Sequence, residues 1–176
     1  MNPITTQVLI KRLDENDALA YKKIRLLALQ TNPEAFLSTL DAEYHKSQAS
    51  FIYELSVAYQ NPVWGYYGLF INNKIIGFCQ VSKSYLAKQK HIAFLYNLYL
   101  NPDYRSKGYA KKLVNFILEK IKTQNIERIF ISYLAKNKFA RGFYDHLDFK
   151  QCGVKEKAAK NNNEYDDEVE MVLEIK

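Results

Sequence analysis

The pattern of apolar and polar positions divides this chain into alternating β-like and α-like stretches. Residues 7–13 read as a first strand. Asp14 and Asp17 supply helix-start side chains. A helix then runs to Gln30, with Leu19, Ile24, Leu27 and Ala28 on or near one face. Asn32-Pro33 ends it, because a proline disfavours the helical region in the residue before it. A mixed segment through Ser50 precedes a second helix over 51–59, which Asn61-Pro62 breaks.

Residues 63–71 and 75–81 are β-rich runs joined by Asn72, Asn73 and Lys74, a hairpin signal. Gly77 inside the second run predicts a bulge or a close backbone approach. Polar residues 82–90 lead to a further strand over 92–100, completing an antiparallel meander. Ala110, Leu113, Val114, Ile117, Leu118 and Ile121 then recur at helical spacing and form one apolar stripe. The short apolar run 128–134 follows as a strand. Strand, helix and strand make a βαβ unit and require one parallel pairing. A helix over 138–147, a strand from Phe149 and a last strand over 168–175 complete the chain, with Asn161, Asn162 and Asn163 as the turn between the last two. The fold class expected is α+β, an α/β/α sandwich around a mixed, mostly antiparallel sheet. No repeat or linker interrupts the 176 residues, which read as a single domain over 1–176.

Composition narrows the function. Apolar residues make up 48%, enough for a core that needs no staples. Cys79 and Cys152 fit neither a metal nor a redox spacing and read as buried or half-buried thiols. His45, His91 and His146 share no ligand spacing, so no metal is expected, and His146 should face away from Tyr144. Residues 1–6 lack the apolar centre of a secretory signal, and no stretch approaches the ~20 apolar residues that span a bilayer. A cytoplasmic chain with no membrane partner is the expectation. The net charge of +6 is dispersed, without a block of like charges. The 14 tyrosines fall mostly in strand-like runs, so no nucleic-acid partner is expected.

The chemistry concentrates at Arg105, Ser106, Lys107, Gly108, Tyr109 and Ala110, which follow the strand ending at Leu100 and open the striped helix. A helix start offers backbone N–H groups without intrahelical partners, at the positive end of the dipole. Gly108 has no Cβ to hold a phosphate away from the backbone, and Arg105 and Lys107 add positive charge. Neither of the common Gly-rich nucleotide motifs is present. The ligand indicated is a phosphate-bearing cofactor.

These residues, with the flanking strand 93–100 and helix 111–118, resemble motif A of the GNAT superfamily of acetyl-CoA-dependent N-acetyltransferases. The family's Arg or Gln, Gly, and Gly or Ala fall on Arg105, Gly108 and Ala110. A second block, from Asn137 through Ala140, Phe143 and Tyr144 to Phe149, resembles the family's next motif. The likeness extends over residues 7–175.

The resemblance implies acetyl-CoA as cosubstrate and an amine acceptor, small molecule or peptide. It implies that the strand before motif A splays from its parallel neighbour, so that the main chain of Leu98, Tyr99 and Leu100 pairs with the pantetheine arm. Backbone N–H groups near Leu98 would also face the developing oxyanion. Asn137 would hydrogen-bond the coenzyme, and would equally serve as N-cap of its helix. Tyr144 would protonate the departing thiolate, since a phenol of ordinary pKa near ~10 keeps its proton at neutral pH. Many relatives carry a glutamate on the strand before motif A. Phe94 and Tyr96 stand at those positions here, and Asn97 is no strong base. Glu34, Asp41 and Glu43 read as solvated charges. The acidic run 164–168 either attracts a cationic amine or forms a solvated hairpin. Asp148 replaces a glycine frequent in relatives. Many relatives pair, so a homodimer is an expectation. A coenzyme-A-binding module without turnover is the rival reading.

Overall fold

The computed structural model describes residues 7–175. Residues 1–6, read above as carrying no secretory signal, lie outside the described residues. The strands are β1 (Val8–Arg12), β2 (Trp64–Ile71), β3 (Lys74–Lys83), β4 (Ile92–Leu100), β5 (Arg128–Leu134), β6 (Lys150–Asn161) and β7 (Glu164–Glu174). The helices are α1 (Ala18–Thr31), α2 (Leu40–Tyr44), α3 (Gln48–Gln60), α4 (Tyr109–Lys122) and α5 (Lys138–Asp145). The strands form one sheet in the order β1-β2-β3-β4-β5-β7-β6. Among the described residues only β4 and β5 pair in parallel; the other neighbours are antiparallel.

Helices cover the sheet from both sides. Tyr21, Ile24 and Ala28 of α1 and Phe51 and Leu55 of α3 pack with Phe78 and Tyr99. On the other face Leu113, Val114, Ile117 and Ile121 of α4, with Tyr144 of α5, pack on Ala93, Leu95, Ile129 and Ile131. The predicted stripe of α4 is therefore its buried face, with Ala110 and Leu118 at the margins.

Local chemistry explains the joints. Asn72 and Asn73 both take positive φ, as a two-residue hairpin turn requires, so Lys74 begins β3 rather than closing the turn. Asn162 and Asn163 do the same between β6 and β7. Those last strands are longer than the pattern suggested, and the acidic run 164–168 lies within β7. Asp148 holds the left-handed conformation that a glycine would take there, a region Asp tolerates better than most side chains. Cys79 is buried, whereas Cys152 is exposed on the edge strand β6 and does not fit the expectation of a covered thiol. Among the described residues no helix is long and apolar enough to cross a membrane.

The feature that shapes the site is a split in the sheet. β4 and β5 are in register only from Ile92 opposite Arg128 to Leu95 opposite Ile131. Beyond that, β4 continues against β3, while Ser132, Tyr133 and Leu134 continue against β7. The cause lies in β4. Its register with β3 slips between the Tyr96 and Tyr99 pairs, and Asn97 between them has φ of +52°. Such a bulge bends the strand that carries it and turns β4 away from its parallel neighbour. The Asn97 amide donates to Gln80 Oε1 at 3.0 Å and fixes the bend.

Candidate active site

The end of β4 leads into a tight loop and then α4. Asn101 caps a single 3-10 turn by accepting from the Asp103 N–H. Ser106 and Gly108 both take positive φ, and Gly108 at +77° is the N-cap of α4 without any side-chain cap. From Ser106 to Lys111 no backbone N–H finds an acceptor among the described residues. Consecutive unpaired donors at the start of a long helix form an anion cradle. A Cβ on Gly108 would meet nothing within 4 Å. The left-handed backbone is therefore a reason for glycine here in addition to the close phosphate approach that the sequence suggested.

Arg105 braces this loop. Its Nε donates to the Leu100 carbonyl at 3.0 Å, and its Nη2 donates to Asn32 Oδ1 at 2.5 Å. Lys107 is turned back, donating to the Asp103 carbonyl at 3.1 Å, and its side chain lies outside the cavity that the loop borders.

That cavity has a volume of about 660 Å³ and runs from the loop into the gap between β4 and β5. It collects nearly all the sequence candidates: Leu98, Tyr99, Leu100, Arg105, Ser106, Gly108, Tyr109, Ala110, Asn137 and Tyr144 border it, and Lys107 alone does not. Asn137 caps α5, accepting from the Ala140 N–H at 3.3 Å, and still reaches the cavity. The Tyr99 hydroxyl is engaged with Thr31 Oγ1 at 2.9 Å, so this residue borders the cavity with its hydroxyl committed elsewhere.

Tyr144 borders the cavity as a buried residue. Its ring stacks on Tyr133 at 6.3 Å and meets Phe149 edge-on at 5.5 Å. The hydroxyl makes no hydrogen bond with the described residues. Burial, with the Cys79 thiol adding to it, pushes its pKa well above that of an ordinary tyrosine. The group is a neutral O–H donor aimed at no protein acceptor.

Several residues stand differently from the sequence reading. His146 does border the cavity, its Nδ1 lying 2.6 Å from the Gly142 carbonyl. Glu43 is buried rather than solvated, beside Arg25 and Lys46. Glu34 accepts from the Asn32 amide, and Asp41 is exposed. A second cavity of about 380 Å³ opens on the far side of the β4–β5 gap and is bordered by Tyr96, Asn97, Ser132 and Glu168. The sequence carried one signal of it: an asparagine, a poor strand residue, in the middle of the apolar run 93–100.

The sheet is thus split at its parallel pair, with orphan amides and a buried tyrosine around the gap. The acetyltransferase (GNAT) family model matches residues 24–149, and the chain belongs to that family. Over 63 residues it is 29% identical to a ribosomal protein bS18-alanine N-acetyltransferase of Haemophilus ducreyi. That match covers 36% of this chain and 43% of the relative, and a Salmonella typhimurium counterpart is matched over 56% of its length, so the chain spans about half the length of these curated relatives. Among solved structures it resembles an N-acetyltransferase of Staphylococcus aureus, with TM-score 0.82 and 16% identity, covering 97% of this chain and 99% of that one. It also resembles a Salmonella typhimurium acetyltransferase solved with its cofactor acetyl-CoA, with TM-score 0.80 and 12% identity over 97% and 95% of the two chains. These structures establish the shared fold.

Proposed function

We propose that this chain is an N-acetyltransferase that moves an acetyl group from acetyl-CoA to a primary amine by direct attack in a ternary complex. The observation that carries the reading is the run of unpaired N–H groups from Ser106 to Lys111 beside a cavity that Tyr144 also borders. Acetyl-CoA supplies an activated acyl thioester. The residues here fit it: the amides past Arg105 would hold the pyrophosphate. The unpaired edge of β4 at Leu98, Tyr99 and Leu100 would align the pantetheine arm, and the Asn137 amide would hydrogen-bond it. Tyr144 would give its proton to the departing sulfur. Holding both reactants in one geometry supplies much of the acceleration for such a favourable acyl transfer.

The acceptor is a primary amine. The two curated relatives act on the alanine of a ribosomal protein, which puts an alanine-led peptide among the candidates for this chain. The absence of a carboxylate at Phe94 and Tyr96 favours the second reading, a coenzyme-A-binding module with no turnover.

Thiol release from acetyl-CoA across polyamines, aminoglycosides, amino acids, basic peptides and an alanine-led peptide tests the proposal. Acceptor-dependent thiol release is expected. Tight acetyl-CoA binding with no release on any amine would leave the binding module. A lack of binding by calorimetry would end both readings.

A further inference from the structure

The two cavities are neighbours: Ala35, Asn97, Ser132 and Tyr133 border both, so the second, on the far side of the β4–β5 gap, adjoins the one that Tyr144 borders. On that face the side chains of the second cavity are apolar, amide, hydroxyl or phenolic with one exception. Among the described residues, Glu168 is the only charged one that borders it.

Glu168 lies opposite Leu134 on β7, and its side chain is 18% exposed. The Ser132 hydroxyl, from the neighbouring strand, donates to its Oε1. Its other oxygen is 3.4 Å from Lys155 Nζ, but that ammonium lies nearer to Glu170, at 2.9 Å, and its side chain is more than half exposed. Lys155 can stay with Glu170 while Glu168 takes another cation. A carboxylate set in a cavity with a single, displaceable surface cation is a site for a positively charged group. The Tyr96 ring, stacked on Phe94, and exposed Leu37 flank the opening and offer apolar surface to a carbon stem.

We propose that Glu168 is the carboxylate that receives the acceptor, pairing with a cationic primary amine and taking a proton from its nitrogen as the amide forms. This rests on the acetyltransferase reading above. The missing carboxylate of β4 is then replaced from β7, across the gap and beside Ser132. The proton balance closes. The ammonium loses one proton to water before attack. As the N–C bond forms and the C–S bond breaks, the nitrogen gives its next proton to Glu168. Tyr144 gives its own proton to the sulfur. Water returns the proton of Glu168 to the Tyr144 oxygen, leaving amide and free thiol.

The test uses the full chain and the amine of the panel that the unaltered protein acetylates fastest. Glu168→Gln keeps the shape and the hydrogen bond from Ser132 but cannot accept the proton. It should lower kcat/KM by about 100-fold or more, with a fall in kcat. Calorimetric affinity for acetyl-CoA and the urea midpoint should stay at the wild-type values. Glu168→Asp should recover part of the rate, and Glu174→Gln, at an exposed carboxylate that pairs with Arg128 and borders neither cavity, should leave it unchanged. Wild-type kcat/KM in Glu168→Gln would overturn the assignment and leave the acetyltransferase reading intact. A wild-type protein that acetylates no amine would remove both.

Discussion

Gly77 packs so tightly under Tyr99 that a Cβ at Gly77 would come within 2.8 Å of the Tyr99 carbonyl oxygen and 3.0 Å of Leu100 Cδ1. Those are the last residues of β4 before the loop of unpaired amides, so the glycine sets how deeply that end of the strand sits. Gly77→Ala forces either backbone or core to move. Overpacking of this kind costs about 1–3 kcal/mol, read as a lowered urea midpoint. Acetyl-CoA affinity should fall as well, because the displaced segment is the one expected to line the pantetheine arm. Unchanged affinity in a destabilised protein would detach β4 from the coenzyme.

Gly108 separates conformation from crowding. Its φ of +77° strains any residue with a side chain, yet a Cβ there meets open space. Gly108→Ala should cost about 1–2 kcal/mol through the left-handed backbone alone. Gly108→Asn should cost less, since Asn enters that region more readily. Gly108→Asp, similar in shape but negative, should weaken acetyl-CoA binding further than Asn does. Calorimetric titrations of the three variants decide it: equal affinity for Asn and Asp would remove the anion from the loop.

Tyr144→Phe should lower turnover by about 10²–10⁴-fold, the range of a lost general acid, while coenzyme affinity holds. Burial raises the pKa of this hydroxyl, so its proton is retained at alkaline pH where a solvated tyrosine has begun to lose one. The pH–rate profile should therefore show no downturn from Tyr144 below pH ~10. Stability follows the same sign. Tyr21, Tyr66 and Tyr144 all have raised values, chiefly from burial. Their contribution is full below the unfolded value of ~10 and is lost above it, because the unfolded chain then releases protons that the native one keeps. Denaturation midpoints should fall on the alkaline side of that pH and stay flat with respect to these groups below it.

Much of this fold is legible in the amino-acid sequence. The stripe from Ala110 to Ile121 is periodic enough to give α4 and its buried face, and βαβ order gives the parallel pair. The split in that pair came only from family likeness, since its cause is one left-handed residue, Asn97, inside an otherwise ordinary strand. Glu168 was visible only as part of an acidic run. Its distinction from Glu164, which pairs with Lys136 at the surface, depends on register across β5 and β7, and no local pattern encodes that register. Glu43 fails for the same reason: a carboxylate in a short polar helix looks solvated until α1 is packed against it.

That packing yields the last prediction. Arg25 Nη2 lies 3.6 Å from Glu43 Oε1, both side chains are over nine-tenths buried, and the guanidinium sits over the Phe36 ring at 4.7 Å. Its Nη1 has no partner among the described residues. Glu43 also binds Lys46 at 2.9 Å, on the wetter side of the cluster. Removing either buried charge alone is therefore unequal. Glu43→Gln leaves Arg25 charged and uncompensated, and should cost about 3–5 kcal/mol. Arg25→Met leaves Glu43 with Lys46 and should cost less, and the double variant should recover part of the Glu43→Gln loss. Urea unfolding of the three proteins measures this, and additive effects would show that the pair is not coupled. Glu43 borders neither cavity, so kcat of the folded Glu43→Gln protein should match the wild type, which separates this carboxylate from the chemistry assigned to Glu168.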